Sequence, residues 1–139
     1  MAGRWLFKTE PGDYGYDRLE RDGRTVWDGV RNALALRHLA AVARGDEVLV
    51  YHTGDEKAVV GIARVARGAY PDPKGTSARQ VVVEIAPVRA LGRRVTLAEL
   101  RGDRSLAGFD LLRLPRLSVM PVTPDQWNAI VRRGATSAT

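Results

Sequence analysis

Three β-branched runs follow one another in the middle of the chain with only turn signals between them. They are Glu47–His52, Ala58–Ala66 and Arg79–Ala90. Val-rich, partly alternating runs of this length read as strands. Gly54-Asp55 turns the first into the second. The segment Tyr70-Pro-Asp-Pro-Lys-Gly-Thr-Ser-Ala78, rich in Pro, Gly and Ser, separates the second from the third. Strands that succeed each other without intervening helices lack the βαβ alternation of a doubly wound sheet. They point instead to an α+β domain with one curled sheet.

The flanking elements fit that frame. Trp5–Lys8 reads as an opening strand ended by Pro11 and Gly12, and Tyr16–Glu20 as a helical turn. Asn32 is a good N-cap, because its side chain accepts from free backbone N–H groups, and a helix is expected from Ala33 to about Arg44, with Gly45 as its stop. Two capping boxes follow. Thr96-Leu-Ala-Glu99 has Val95 and Leu100 placed as a hydrophobic staple; Thr123-Pro-Asp-Gln126 has Pro124 at N1 and Val122 and Trp127 as the staple. Leu117–Met120 reads as a short strand between them. A chain of 139 residues without repeats is one domain by size, expected over residues 1–133, with the small polar stretch 134–139 expected to fray.

Several functions are excluded by residue type. There is no cysteine, so disulfides, thiolate zinc and a cysteine nucleophile are ruled out, and two histidines do not build a His-rich metal site. No apolar run approaches the ~20 residues of a membrane span, and Met1–Trp5 shows no signal-peptide core. A cytoplasmic protein without membrane contact is expected. Phosphate-binding glycine loops, nucleophile elbows and zincin motifs are all missing. Asp46-Glu47 and Asp55-Glu56 lie at strand ends, where adjacent side chains point to opposite faces. They read as solvated turn residues and not as an acid–base pair. The expectation is a protein that is not an enzyme and needs no cofactor or metal.

The chain has 22 Lys+Arg against 16 Asp+Glu. Residues 1–70 carry 11 basic and 10 acidic side chains, and residues 71–139 carry 11 and 6. A basic C-terminal half suits a polyanion such as nucleic acid. Arg93-Arg94 and Arg132-Arg133 are its adjacent pairs and are expected to contact phosphates.

Polar and aromatic residues gather at three element ends. One is Val26-Trp-Asp-Gly-Val-Arg-Asn32, which includes Trp27, Val30, Arg31 and Asn32. The second is Tyr51-His-Thr-Gly54, which includes His52 and Thr53, and the third is Lys8-Thr-Glu-Pro11, which includes Glu10. Each residue has a plain structural alternative. Trp27 can be core, Asn32 a helix cap and His52 a satisfied strand-end histidine, while Glu10 and Arg31 can form an ion pair. Together they resemble a polar-rimmed aromatic pocket.

Trp5-Leu-Phe-Lys-Thr-Glu-Pro11, Val26–Asn32, Gly45-Asp46 before Val48–Thr53, Val60-Gly-Ile-Ala63, Ala69-Tyr-Pro-Asp72 and Leu117–Val122 with Gln126-Trp127 together resemble the EVE domain family over about residues 4–131. The resemblance implies a PUA-like fold, a curled mixed sheet or barrel with flanking short helices, and no enzymatic activity. It implies a nucleobase pocket in which Trp27 is the pocket tryptophan and Asn32, Tyr51, His52 and Thr53 fall on motif positions. A modified cytosine in DNA is the favoured ligand, with a modified RNA base as in YTH domains, or a small molecule or nucleotide, as the alternatives. Thr53 stands where many members carry Ser. In the resulting expectation a base lies against Trp27, the polar groups read its edge, and Lys8 and Glu10 line the mouth or brace Arg31.

Overall fold

The computed structural model describes residues 3–135. Among the described residues the strands are Arg4–Thr9 (β1), Thr25–Trp27 (β2), Glu47–His52 (β3), Ala58–Pro71 (β4), Val81–Thr96 (β5) and Val119–Pro121 (β6). They form one sheet in the order β2-β5-β4-β3-β1-β6, with β1 parallel to β3 and every other pair antiparallel. The long pair β4–β5 carries register shifts at four places between Val59 and Tyr70. Each such irregularity bends the strand and increases its twist. The outcome is a mixed sheet curled into a half-barrel, as the fold class required.

Short helices pack around it: Pro11–Tyr14 (α1), Tyr16–Asp22 (α2), Ala33–Ala40 (α3), Leu97–Arg101 (α4), Asp110–Arg113 (α5) and Pro124–Gly134 (α6). Both capping boxes are formed. Thr96 Oγ1 accepts from Glu99 N at 3.2 Å while Glu99 Oε1 accepts from Thr96 N at 2.9 Å. Thr123 and Gln126 repeat the exchange at 3.2 and 2.9 Å. The staple residues Val95, Leu100, Val122 and Trp127 are all buried. One continuous core joins the sheet to the helices, with Leu6, Phe7, Leu39, Leu49, Ile85, Phe109 and Ile130 fully enclosed.

The structure departs from the sequence expectations in several places, among them β2, Thr25–Trp27, which those expectations do not include. The helix after Asn32 ends at Ala40, short of Arg44, because the Ala43 N–H donates to Asp46 Oδ2 at 2.9 Å instead of continuing the helix. Asp46 is buried and not a solvated turn residue. It accepts from Gly3 N, Ala43 N and the Trp5 indole at 2.8–2.9 Å, which ties the chain start to the turn before β3. Pro11 opens α1 as well as ending β1, since Glu10 caps that helix by accepting from Gly12 N. The strands on either side of the Pro/Gly-rich loop are longer than expected, and Pro71 still pairs with Val81. Of the tail, Gly134 closes α6 and is buried against Leu91; residues 136–139 lie outside the described residues. No described helix is long and apolar enough to cross a membrane.

Candidate nucleic-acid interface

Trp27 is the last residue of β2, paired with Val83 of β5. Side chains alternate along a strand, so Val26 points to solvent at 46 % exposure while Trp27 turns inward at 8 %. The Trp27 ring packs on Phe7, with centroids 5.6 Å apart, and meets Tyr14 in a T-shaped contact at 6.3 Å and 85°. What remains of it lines a cavity of about 520 Å³. The chain then leaves β2 through Asp28 and Gly29, whose φ of 76° suits a residue without Cβ. Val30 completes this wall.

The rest of the lining comes from elements distant in sequence. Lys8 and Thr9 end β1, Asp13 and Tyr14 belong to α1, Arg18 and Asp22 to α2, and Ser118 precedes β6. Internal bonds hold them in place. The Tyr14 hydroxyl donates to Asp22 Oδ2 at 2.9 Å, the Arg18 guanidinium lies 5.3 Å from the Tyr14 ring, and Thr9 Oγ1 donates to Tyr14 O at 2.8 Å. Lys8 Nζ donates to Pro115 O at 2.9 Å and sits 5.6 Å from the Tyr51 ring. Burial lowers the Lys8 pKa from its ordinary value and raises that of the Tyr51 phenol beneath it. The cavity therefore has an aromatic floor and mixed charge: Lys8 and Arg18 against Asp13, Asp22 and Asp28.

Among the expected pocket residues, Trp27, Val30 and Lys8 meet at this cavity. The others lie elsewhere. Asn32 caps α3, its Oδ1 accepting from Ala35 N at 3.0 Å. Tyr51 is buried under Lys8. Both His52 ring nitrogens are engaged: Nε2 accepts from Tyr16 N at 3.0 Å, so Nδ1 carries the proton and donates to Glu56 Oε1 at 3.0 Å. Thr53 Oγ1 donates to Glu10 Oε2 at 3.2 Å. Among the described residues Glu10 makes no ion pair with Arg31, which lines a second groove.

None of the four expected phosphate arginines lines the Trp27 cavity. Arg93 forks onto both Glu99 oxygens at 3.0 Å, and Arg133 bonds Asp103 at 2.7 Å and reaches Glu99 at 3.7 Å. Arg94 lies 3.7 Å from Glu56, while Arg132 is exposed beside Arg133. Sequence reasoning missed Tyr14, Arg18, Asp22 and Ser118. Glu10-Pro11, an N-cap followed by Pro at N1, was the signal that could have placed Tyr14 on a helix. Ser118 had no local signal. Among the described residues no three His, Cys, Asp or Glu side chains group as a metal site.

A curled half-barrel with short flanking helices and an aromatic cavity at its edge defines a PUA-like domain. The match to a family model is more specific: that of the EVE domain covers residues 3–133, and the chain belongs to this family. The solved structure of Rpa0253 from Rhodopseudomonas palustris is 38 % identical with a TM-score of 0.90, over 96 % of this chain and 93 % of that one. Human THYN1 protein, crystallised in complex with 5-methylcytosine-containing DNA, is 25 % identical with a TM-score of 0.88, over 96 % and 98 % of the two chains. Human thymocyte nuclear protein 1 is 26 % identical over 94 % of this chain and 73 % of its own length.

Proposed function

We propose that the protein is a non-enzymatic reader of a modified base, a modified cytosine in DNA, held in the Trp27 cavity. The observation that carries this reading is the cavity itself: about 520 Å³, floored by Trp27 and Tyr14 and rimmed by Lys8, Thr9, Asp28 and Ser118. That volume lies in the ordinary range of small-ligand pockets. The DNA complex of a family member 25 % identical supports it. Only 8 % of Trp27 is exposed, so a base draws contact from Tyr14 and Val30 as well.

Magnitudes bound what the cavity does alone. Stacking on an aromatic is worth roughly 1–3 kcal/mol, two or three hydrogen bonds about 0.5–1.5 kcal/mol each, and a buried methyl about 0.8 kcal/mol. After immobilisation costs, a free nucleoside binds at about millimolar to high-micromolar Kd. Backbone contacts supply the rest in a polymer.

The test compares matched oligonucleotides, with cytosine or 5-methylcytosine at one position, by fluorescence anisotropy. The methylated strand is expected to bind more tightly, and Trp27→Phe, which keeps a ring on Phe7, to narrow the difference. Equal affinities contradict the reading. One observation favours a module for an uncharged small molecule instead: Asp13, Asp22 and Asp28 at the cavity repel phosphates, a polymer's and a free nucleotide's alike. Under that reading a neutral nucleoside binds with little salt dependence and the polymer adds nothing. An RNA strand of the same sequence forms the third arm.

A further inference from the structure

The second groove lies between α3 and the loop at 72–80, with a volume of about 670 Å³. Ala33, Leu36, Arg37 and Ala40 give it one helical face, the i, i+3/i+4, i+7 spacing that places residues on one side. Thr76, Ser77 and Arg79 face them from the loop. The loop is built around Gln80, whose Oε1 accepts from Thr76 N at 2.6 Å and Ser77 N at 3.3 Å, while Ser77 Oγ accepts from Arg79 N at 3.2 Å.

Charge distinguishes this groove from the Trp27 cavity. Three arginines line it, Arg31, Arg37 and Arg79, all exposed, and among the described residues none is in an ion pair. No carboxylate lines it. By contrast Arg93 and Arg133 are already held by Glu99 and Asp103. The groove also adjoins the cavity through the backbone: Trp27–Val30 line the cavity and Arg31 the groove, so one residue step carries the chain from one to the other. Successive Cα atoms are about 3.8 Å apart.

We infer that this groove is the phosphodiester track of a nucleic-acid strand whose recognised base enters the Trp27 cavity. The inference rests on the reader function proposed above, and deepens it by assigning the backbone contacts to Arg31, Arg37 and Arg79. Unpaired guanidiniums bind phosphate oxygens in a fork, and the Ser77 hydroxyl, which only accepts from Arg79 N, adds a donor.

The test uses the full chain, with methylated and unmethylated oligonucleotides followed by anisotropy across a salt series. The variant is Arg31→Gln/Arg37→Gln/Arg79→Gln. Each phosphate contact contributes about 0.7–0.9 to the log–log salt slope, so the slope is expected to flatten by roughly two to three. Affinity for both strands falls together, and their ratio is kept. The charge-matched control is Arg64→Gln/Arg89→Gln/Arg104→Gln, at exposed arginines that line neither cavity; it is expected to leave the slope near wild type. A groove variant with the wild-type slope, or a control that flattens it equally, overturns the track. Inorganic phosphate that competes as well as an unmethylated strand also overturns it, since the site then takes a free anion. If wild type binds both strands equally but the groove variant still flattens the slope, the base reader fails and the track stands. If no strand binds, the track fails, while the cavity is still judged by nucleoside binding.

Discussion

Tyr16 and Gly61 show how one glycine positions a helix. A Cβ at Gly61 would meet the Tyr16 ring at 2.5 Å, and the Tyr16 hydroxyl donates to Ile62 O at 2.6 Å. Burial pushes the Tyr16 phenol up to about 12, so it stays a donor at any physiological pH. Gly61→Ala is expected to cost about 1–3 kcal/mol through overpacking, and much less in a Tyr16→Leu background, where the clash is gone; urea denaturation of the two single variants and the double variant reads the coupling. Asp46 makes a second residue-scale case. Asp46→Ala strands the buried Trp5 indole N–H, at a cost of about 1–3 kcal/mol, with Asp46→Asn milder because one acceptor oxygen remains. Similar stabilities for the Ala variant and wild type would remove the stapling role. Trp27 belongs to both structure and site. Trp27→Ala is expected to cost about 3–5 kcal/mol as a core truncation, so its loss of binding is informative only alongside a melting curve.

At the element scale, α4, α6 and β5 meet in a network of exposed and half-exposed charges. Arg93 of β5 and Arg133 of α6 converge on Glu99 of α4, and Arg133 also holds Asp103. The Ser105 hydroxyl and Arg133 bring Asp103 down to about 2, and Arg93 lowers Glu99 below its ordinary value. Carboxylates with depressed folded pKa values stabilise the fold above the ordinary carboxylate range and lose that contribution as pH falls through the folded value. Arg133→Gln is expected to be less stable than wild type at pH 6, with the gap closing between about pH 4 and pH 2. Denaturant midpoints at stepped pH check this. A gap that persists unchanged to pH 2 means Arg133 acts by packing its stem and not through the carboxylates. High salt should narrow the gap at pH 6.

Across the whole molecule, the candidate cavity draws on residues from Lys8 to Ser118, contributed by β1, α1, α2, the end of β2 and the approach to β6. No part of the chain presents it alone. A ligand that binds only the assembled cavity stabilises the native state by mass action, about 2.7 kcal/mol at a hundredfold excess over Kd. For a domain of this size that raises Tm by about 10 °C. Thermal melts with the methylated oligonucleotide at saturating concentration are expected to show the shift. An oligonucleotide that binds by anisotropy but leaves Tm unmoved contradicts a site made by folding.

The signals that were legible in the sequence are short-range. Thr96-to-Glu99 and Thr123-to-Gln126 span a single helical turn, so the residues that cap a helix are the ones that announce it. The β-branched runs and the missing βαβ alternation determined an α+β sheet for the same reason: strand preference and connection type are local properties. Burial and partners are not. Asp46 looked like a turn residue until Gly3 and Trp5, more than 40 positions away, supplied its donors. His52 looked free to read a base until Tyr16, 36 positions away, occupied its Nε2. The motif Val26–Asn32 was visible as one unit, yet in the folded chain Val26–Val30 line an aromatic cavity, Arg31 lines an arginine groove and Asn32 caps α3. Local sequence thus determined the main strands and the capped helices, while the short β2, α1 and α5 carried no signal that was read. Only tertiary packing, which decides the neighbours of each polar group across non-adjacent strands, determined which of the conspicuous residues remain available to a ligand.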